Sequence, residues 1–155
     1  MGSNSYNFEN KFIVTAPANW SQKPGPDDHL VLGKSGYEVI VVRRESIRKS
    51  GQKNLDEHMN GMRENAIKFQ HLNQVKMSSI EPFSTPAYGG RIMTYAFQLN
   101  GKMSEVTVFA LQTEKYYYFL VLHAPADCQP ETLNDYFDVV NSFRVIDEVE
   151  AVQFH

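Results

Sequence analysis

The residues of this chain that could do chemistry are few and scattered. His123 and Cys128 are the one combination that resembles a general base and a nucleophile. A thiol attacks as a thiolate, which a positioned base or cation must generate, and closeness along the chain does not establish that geometry. A lone cysteine without a Cys or His pattern around it is typical of an ordinary surface or half-buried thiol. We therefore predict no cysteine enzyme.

A second cluster, Asp27, Asp28 and His29, has the donor atoms that a divalent ion needs. It follows directly on a loop rich in Pro and Gly, where acidic residues more often form a solvated turn. The glycines of the chain are isolated, and the pair Gly89 and Gly90 precedes a predicted strand rather than a helix, so no phosphate-binding loop is indicated. We expect no catalytic residues, no metal and no cofactor, and hence a protein that is not an enzyme.

Composition limits the class of partner. The chain has 155 residues, 42% of them hydrophobic, which suffices for one domain with a core. Its net charge of -3 and its scattered Lys and Arg residues offer no basic surface, so we expect no nucleic acid partner. The start, MGSNSYNFENKF, lacks a secretory signal, which favours a cytoplasmic protein. If Met1-Gly2-Ser3 replaces a removed signal, the native protein is instead periplasmic or anchored to the envelope.

Apolar periodicity changes along the chain from strands to a helix, to further strands and to a second helix. The predicted strands are 12–15, 29–34, 37–44, 72–80, 91–99, 102–111 and 115–123. The predicted helices are 55–70, with Asn54 as N-cap, and 130–143, with Pro130 near its start. This order predicts an α+β fold, in which an antiparallel sheet carries a helix inserted after the third strand and a C-terminal helix. The predicted organisation is a leader or cloning remnant (1–11), a single domain (12–145) and an acidic tail (146–155).

The dipeptide Asn100-Gly101 is the strongest local signal, because a two-residue type I′ turn needs positive φ at both positions. Such a turn fixes the register of the strands around it. The predicted pairs are Leu99 with Lys102, Phe97 with Ser104, Tyr95 with Val106 and Met93 with Val108. One face of the hairpin is then apolar, with Met93, Tyr95, Phe97, Val106, Val108 and Ala110. The other face is mixed, with Thr94, Ala96, Gln98, Glu105, Thr107, Phe109 and Leu111.

The next stretch, KYYYFLVLH, is apolar or aromatic on both of its faces. A two-residue turn at Glu114 and Lys115 leads into it, whereas a three-residue turn would swap those faces. With the two-residue turn, Tyr117, Phe119 and Val121 join the apolar face, and Tyr116, Tyr118, Leu120 and Leu122 join the mixed face. Two helices cover only part of so large a sheet, so we predict that the mixed face is partly open and binds a partner. The predicted contacts are Ala96, Thr107, Phe109, Leu111, Tyr116, Tyr118 and Leu120.

Several short motifs occur in a characteristic order. They are APANW, IVVRRE, NLDEHM, AYGGRIMTY, YYYFLVLHAP and VVNSFRV, spread over roughly residues 8–145. In this order the chain resembles the PsbP/DcrB-like superfamily. The resemblance implies an αβα sandwich around an antiparallel sheet, and a function in binding, since most members are not enzymes. The superfamily also includes PsbP itself and a Ran-binding nuclear-import factor.

Within that superfamily, the VVRRE strand end and the lack of a signal peptide are most similar to the Eag-type chaperones of bacterial type VI secretion. Those cytoplasmic adaptors hold the transmembrane segments of an effector before export. The resemblance therefore implies a chaperone or adaptor whose partner is a hydrophobic segment of another protein. Such adaptors are often dimeric, so a homodimer is a further expectation. The alternative is the mature domain of a DcrB/PsbP-like envelope lipoprotein with a structural or interaction role.

Overall fold

A computed structural model describes residues 2–34, 37–69, 76–99, 101–128 and 130–147. The first strands are β1 (Ser3–Phe8), β2 (Phe12–Pro17), β3 (Ser21–Lys23), β4 (His29–Gly33) and β5 (Val39–Ser46). The helices are α1 (Ile47–Ser50), α2 (Leu55–Phe69) and α3 (Pro130–Ser142). The remaining strands are β6 (Lys76–Met77), β7 (Glu81–Ser84), β8 (Gly89–Leu99), β9 (Lys102–Gln112), β10 (Tyr116–Pro125) and β11 (Arg144–Val145). No helix within these ranges is long and apolar enough to cross a membrane.

The strands form two antiparallel sheets. The large sheet has the order β3-β4-β5-β10-β9-β8-β6, and β7 also pairs with β8. The small sheet has the order β1-β2-β11. Helix α2 packs on one face of the large sheet, whereas α3 and the small sheet pack on the other. The predicted α+β fold, an antiparallel sheet between helical layers, is confirmed.

The predicted register of the central hairpin is also confirmed. Leu99 pairs with Lys102, and Met93 pairs with Val108. Gly101 has a φ of 80°, the left-handed conformation that a turn glycine adopts without strain. The turn before β10 has two residues, because the backbone N–H of Thr113 donates to the carbonyl oxygen of Tyr116 at 2.9 Å.

Both predicted helices form, each with a buried stripe. In α2 the Asn54 side chain accepts a hydrogen bond from the backbone N–H of Glu57 at 2.8 Å, which is the expected cap. Leu55 and Met59 of this helix are buried against the sheet, and Met62 is half-buried. The stripe in α3 is formed by Tyr136, Val140 and the following Phe143, all buried, with half-buried Leu133 and Phe137.

The ends of the described chain contribute more structure than the sequence predicts. The segment predicted as a leader contains β1, whose Tyr6 and Phe8 pack against the core. At the other end, the N–H of Ile146 donates to the carbonyl oxygen of Lys11 at 2.9 Å. Strands β3, β7 and β11 and helix α1 are further elements not predicted. Of the predicted strand 72–80, residues 76–77 form β6, while 72–75 lie outside the described residues, as do residues 148–155 of the predicted tail.

Candidate functional site

The face predicted to be open is closed. Phe109, Leu111, Tyr118 and Leu120 are fully buried, and Thr107 is 3% exposed. The four apolar residues belong to a core cluster that includes Phe12 of β2 and side chains of α3. The prediction of an open mixed face is therefore wrong, because it counted the helices but not the small sheet, which covers this face together with α3.

The two other predicted contacts, Ala96 and Tyr116, are half-buried. Tyr116 lies beneath the guanidinium of Arg44, which is 3.8 Å from the ring centroid and also 2.6 Å from Asp147. The neighbouring Arg43 stacks on Phe119 at 4.5 Å. Both arginines thus serve contacts within the chain.

The opposite face, the one that carries α2, is only partly covered. Val41 pairs with Val121, and Val39 pairs with His123, so these side chains share this face of the sheet. His123 also pairs with Val106, which faces Tyr95 on β8. His123 is exposed, and Val39, Val41 and Tyr95 are half-buried. We call these four residues the open strip. They are mainly apolar, lie beyond α2 on strands β5, β10 and β8, and flank the buried Val106 of β9.

The open strip ends at a cleft. Tyr37, the first residues of β9 and the end of β10 meet there. The cleft has a volume of about 480 Å³, and we call it the edge cleft. It is lined by Tyr37, Phe97, Lys102, Met103, Ser104, Glu105, Val106, His123, Ala124 and Pro125. Tyr37 is 79% exposed, so a large aromatic side chain stands in solvent at its mouth.

His123 belongs both to the open strip and to the lining of the edge cleft. Although its edge meets solvent, the protein atoms around it desolvate the ring and lower the pKa of His123 from its ordinary value of 6.5. The imidazole is therefore predominantly neutral at pH 7, and the floor of the cleft carries no positive charge from it.

Cys128 lies among carboxylates, which is an unfavourable place for a thiolate. Burial raises the pKa of Cys128, and Glu105, Glu38 and Asp127 raise it further. Cys128 packs against the core cluster under α3, whereas His123 faces the α2 side. The structure therefore does not bring these two residues together as a base and nucleophile.

The remaining chemical candidates have structural partners. Asp28 forms an ion pair with Lys11 at 3.2 Å, and the Nδ1 atom of His29 lies 3.0 Å from the carbonyl oxygen of Asp27. Among the residues that the structure describes, no three metal-ligating side chains form a cluster. His58 of α2 makes a 2.8 Å contact from Nε2 to Glu45 and packs against Phe119. These contacts attach α2 to the sheet.

Comparison with known proteins identifies the fold and not a family. No family model matches the chain, and no curated protein matches it. The Ran-binding protein Mog1p of Saccharomyces cerevisiae is similar with a TM-score of 0.66 and 12% identity, over 95% of this chain and 97% of Mog1p. The PsbP protein CyanoP of Synechocystis is similar with a TM-score of 0.64 and 12% identity, over 92% of each chain.

A protein of Bacteroides thetaiotaomicron is also similar, with a TM-score of 0.68 and 10% identity over 97% of this chain. The chain spans about half of that protein, 51% of its length. At such identities the likeness concerns the arrangement of the backbone. The chain therefore has the fold that PsbP and Mog1p share.

Proposed function

We propose that this chain is a non-catalytic binding protein whose ligand is an apolar segment of another protein. The observation that carries the proposal is the continuity of the open strip with the edge cleft, which places accessible apolar surface beside an exposed aromatic residue, Tyr37. Burying apolar surface that the described part of the chain leaves accessible is favourable, because a partner then removes that surface from water. The proposed site therefore lies on the α2 side rather than on the buried mixed face.

The shape of the site suits one or two side chains of a partner. A cleft of about 480 Å³ lies in the range of small-molecule pockets, and its aromatic and aliphatic walls suit an inserted apolar group. The open strip then offers a shallow extension for the rest of the segment. For Ala96 and Tyr116, which remain partly accessible on the sheet, a role in binding stays a prediction.

The resemblance noted in the sequence suggests the finer function. We propose a cytoplasmic chaperone or adaptor that shields hydrophobic segments of a secreted effector, working as a monomer or as a homodimer. Mog1p, of the same fold, is a Ran-binding protein, so this fold does support the binding of proteins. The second candidate is an envelope protein of the DcrB/PsbP type, which the similarity to CyanoP over nearly the whole chain favours.

Site-specific crosslinking in the native host tests the proposal. A photoreactive benzoylphenylalanine at position 37 replaces one aromatic group by another at the mouth of the cleft. The control carries the same group at Glu114, which is exposed at the opposite end of the sheet. We expect an adduct from position 37 only, with mass spectrometry locating it in an apolar segment of one partner.

Adducts of equal yield from both positions, or an adduct in a purely polar segment, would contradict the proposal. The cellular fraction that contains the adduct separates the two candidates. A cytoplasmic effector supports the chaperone, whereas an envelope component supports the alternative.

A further inference from the structure

A lysine lies in the wall of the edge cleft. Lys102 lines the cleft together with Ser104 and Val106 of the same strand. Alternate residues of a strand point to the same face, so all three side chains lie on the α2 side of the sheet. Lys102 is exposed, and it takes part in none of the ion pairs among the described residues. The cleft therefore combines apolar walls with a cation that no described carboxylate contacts.

A second lysine lies beside the β5 end of the open strip. Gly33 of β4 pairs with Val39 of the open strip. A Cβ atom at Gly33 would point to the same side as Val39 and would lie only 2.9 Å from the Cγ atom of Lys23, so the Lys23 stem crosses this glycine on the α2 side. Lys23 is exposed and, within the described part of the chain, forms no ion pair. It extends the positive charge along the open strip.

The two glutamates nearest in sequence to these residues point away from them. Glu105 alternates with Val106 along β9, so its side chain is directed to the α3 side. Glu38 precedes Val39 and is directed to the α3 side for the same reason. Both glutamates raise the pKa of Cys128, which packs against the core cluster on that side. Their charges therefore do not lie beside the apolar walls of the cleft.

Other acidic groups leave the positive charge of the cleft in place. Asp127 lines a neighbouring hollow that shares Lys102 with the cleft, but it does not line the cleft itself. On the α2 side, Glu45 and Asp56 lie at the other end of the sheet, each in an ion pair with a cation of the chain. His123 is predominantly neutral at pH 7. The two lysines therefore determine the charge around the cleft and the open strip.

From this charge distribution we infer that the edge cleft and the open strip bind an apolar segment that carries an acidic residue. One bulky apolar side chain of the segment enters the cleft between Phe97, Val106 and Pro125. The carboxylate next to it lies against Lys102, within the wider positive field to which Lys23 contributes. A basic residue at the same place would meet repulsion. The inference rests on the proposed function and adds the charge of the partner to it.

Matched peptides test this inference. The first probe is acetyl-Gly-Leu-Phe-Glu-Gly-amide. In the second probe, glutamine replaces the glutamate, which removes the charge and keeps the shape. In the third probe, lysine replaces it, which reverses the charge. Amide chemical shifts of the full chain, followed by NMR during titration, report both the affinity and the place of binding.

We expect the glutamate peptide to shift Val106, His123 and Ala124 and to bind about two- to fivefold more tightly than the glutamine peptide, the range typical of one exposed ion pair. The lysine peptide should bind most weakly. The advantage of glutamate should shrink as the salt concentration rises from about 20 to 300 mM, because screening shortens the reach of the lysines.

Lys102→Gln should remove most of that advantage. The control is Lys49→Gln, the same charge change at an exposed lysine of α1, which follows the opposite end of β5, and it should leave the advantage unchanged. Equal binding of the glutamate and glutamine peptides at the cleft, or tighter binding of the lysine peptide there, would overturn the inference and leave the proposed function standing. If no peptide shifts the residues of the cleft, both fail.

Discussion

At the scale of single residues, the Tyr136 hydroxyl connects α3 to the large sheet. It accepts a hydrogen bond from the backbone N–H of Phe109 at 3.0 Å and donates one to the carbonyl oxygen of Leu120 at 2.7 Å. Phe109 and Leu120 face each other on β9 and β10. Burial raises the pKa of Tyr136 far above its ordinary value, so the group stays protonated and can make both bonds.

Tyr136→Phe should therefore lower the free energy of unfolding by about 1–3 kcal/mol, because two buried backbone groups lose their shared partner. Urea denaturation measures the change. Tyr37→Phe removes the same atom from a residue that is 79% exposed and should change stability by less than about 0.5 kcal/mol. Equal changes in the free energy of unfolding for the two substitutions would show that the hydroxyl of Tyr136 adds nothing to stability through its two hydrogen bonds.

The lowered pKa of His123 predicts a pH dependence of stability. In the unfolded chain His123 binds a proton near the ordinary pKa of 6.5, whereas in the folded chain it is protonated only at lower pH. The contribution of this group to stability is thus fully present above that value and is lost as the pH falls through the folded pKa. The difference between unfolding free energies at pH 7.5 and pH 5 should be smaller in His123→Gln than in the native chain. An unchanged difference would contradict the shifted pKa.

At the scale of elements, local sequence signals predicted the structure correctly at a tight turn and at a helix N-cap. The Asn-Gly turn predicted the β8–β9 register, and Asn54 predicted the start of α2. Strand β1 had no such signal, because its sequence SNSYNF is rich in residues with low β-propensity. Its pairing with β2 is accompanied by contacts with residues further along the chain, such as the hydrogen bond that the Tyr6 hydroxyl donates to the carbonyl oxygen of Trp20 at 3.2 Å, which periodicity cannot foresee.

Two glycines in different elements should respond oppositely to an added methyl group. In β8, a Cβ atom on Gly90 would overlap the carbonyl oxygen of Ala110 and touch the ring of Phe109. Gly90→Ala should destabilise the protein by about 1–3 kcal/mol, as overpacking does. In α2, a Cβ atom on Gly61 would meet nothing within 4 Å. Gly61→Ala should stabilise the protein by about 0.5–1 kcal/mol, since alanine favours a helix. Thermal unfolding of both variants checks the two signs, and loss of stability in both would contradict this account.

At the scale of the whole molecule, the sequence could not establish which face of the large sheet is covered. Both faces of β10 are apolar, so the hydrophobic pattern does not distinguish the covered face from the open one. The prediction then depended on an estimate of how much of the sheet two helices can cover. The small sheet assembles from β1, β2 and β11, strands from both ends of the described chain, and no local window contains it. The long strands of the large sheet and the helices α2 and α3 were therefore predictable from local patterns, whereas the small sheet and the site required the tertiary arrangement.

The small sheet gives the molecule a mechanical property. Ser3 lies beside Pro17 at one end of β2, and Val145 lies beside Phe12 at the other. A force that pulls residues 3 and 145 apart therefore acts along the strands in opposite directions. Antiparallel hydrogen bonds run perpendicular to the strands, so such a force loads them together in shear instead of opening them one by one. Tension along the chain would thus be resisted first by the layer that closes the core, before it reaches the proposed binding surface.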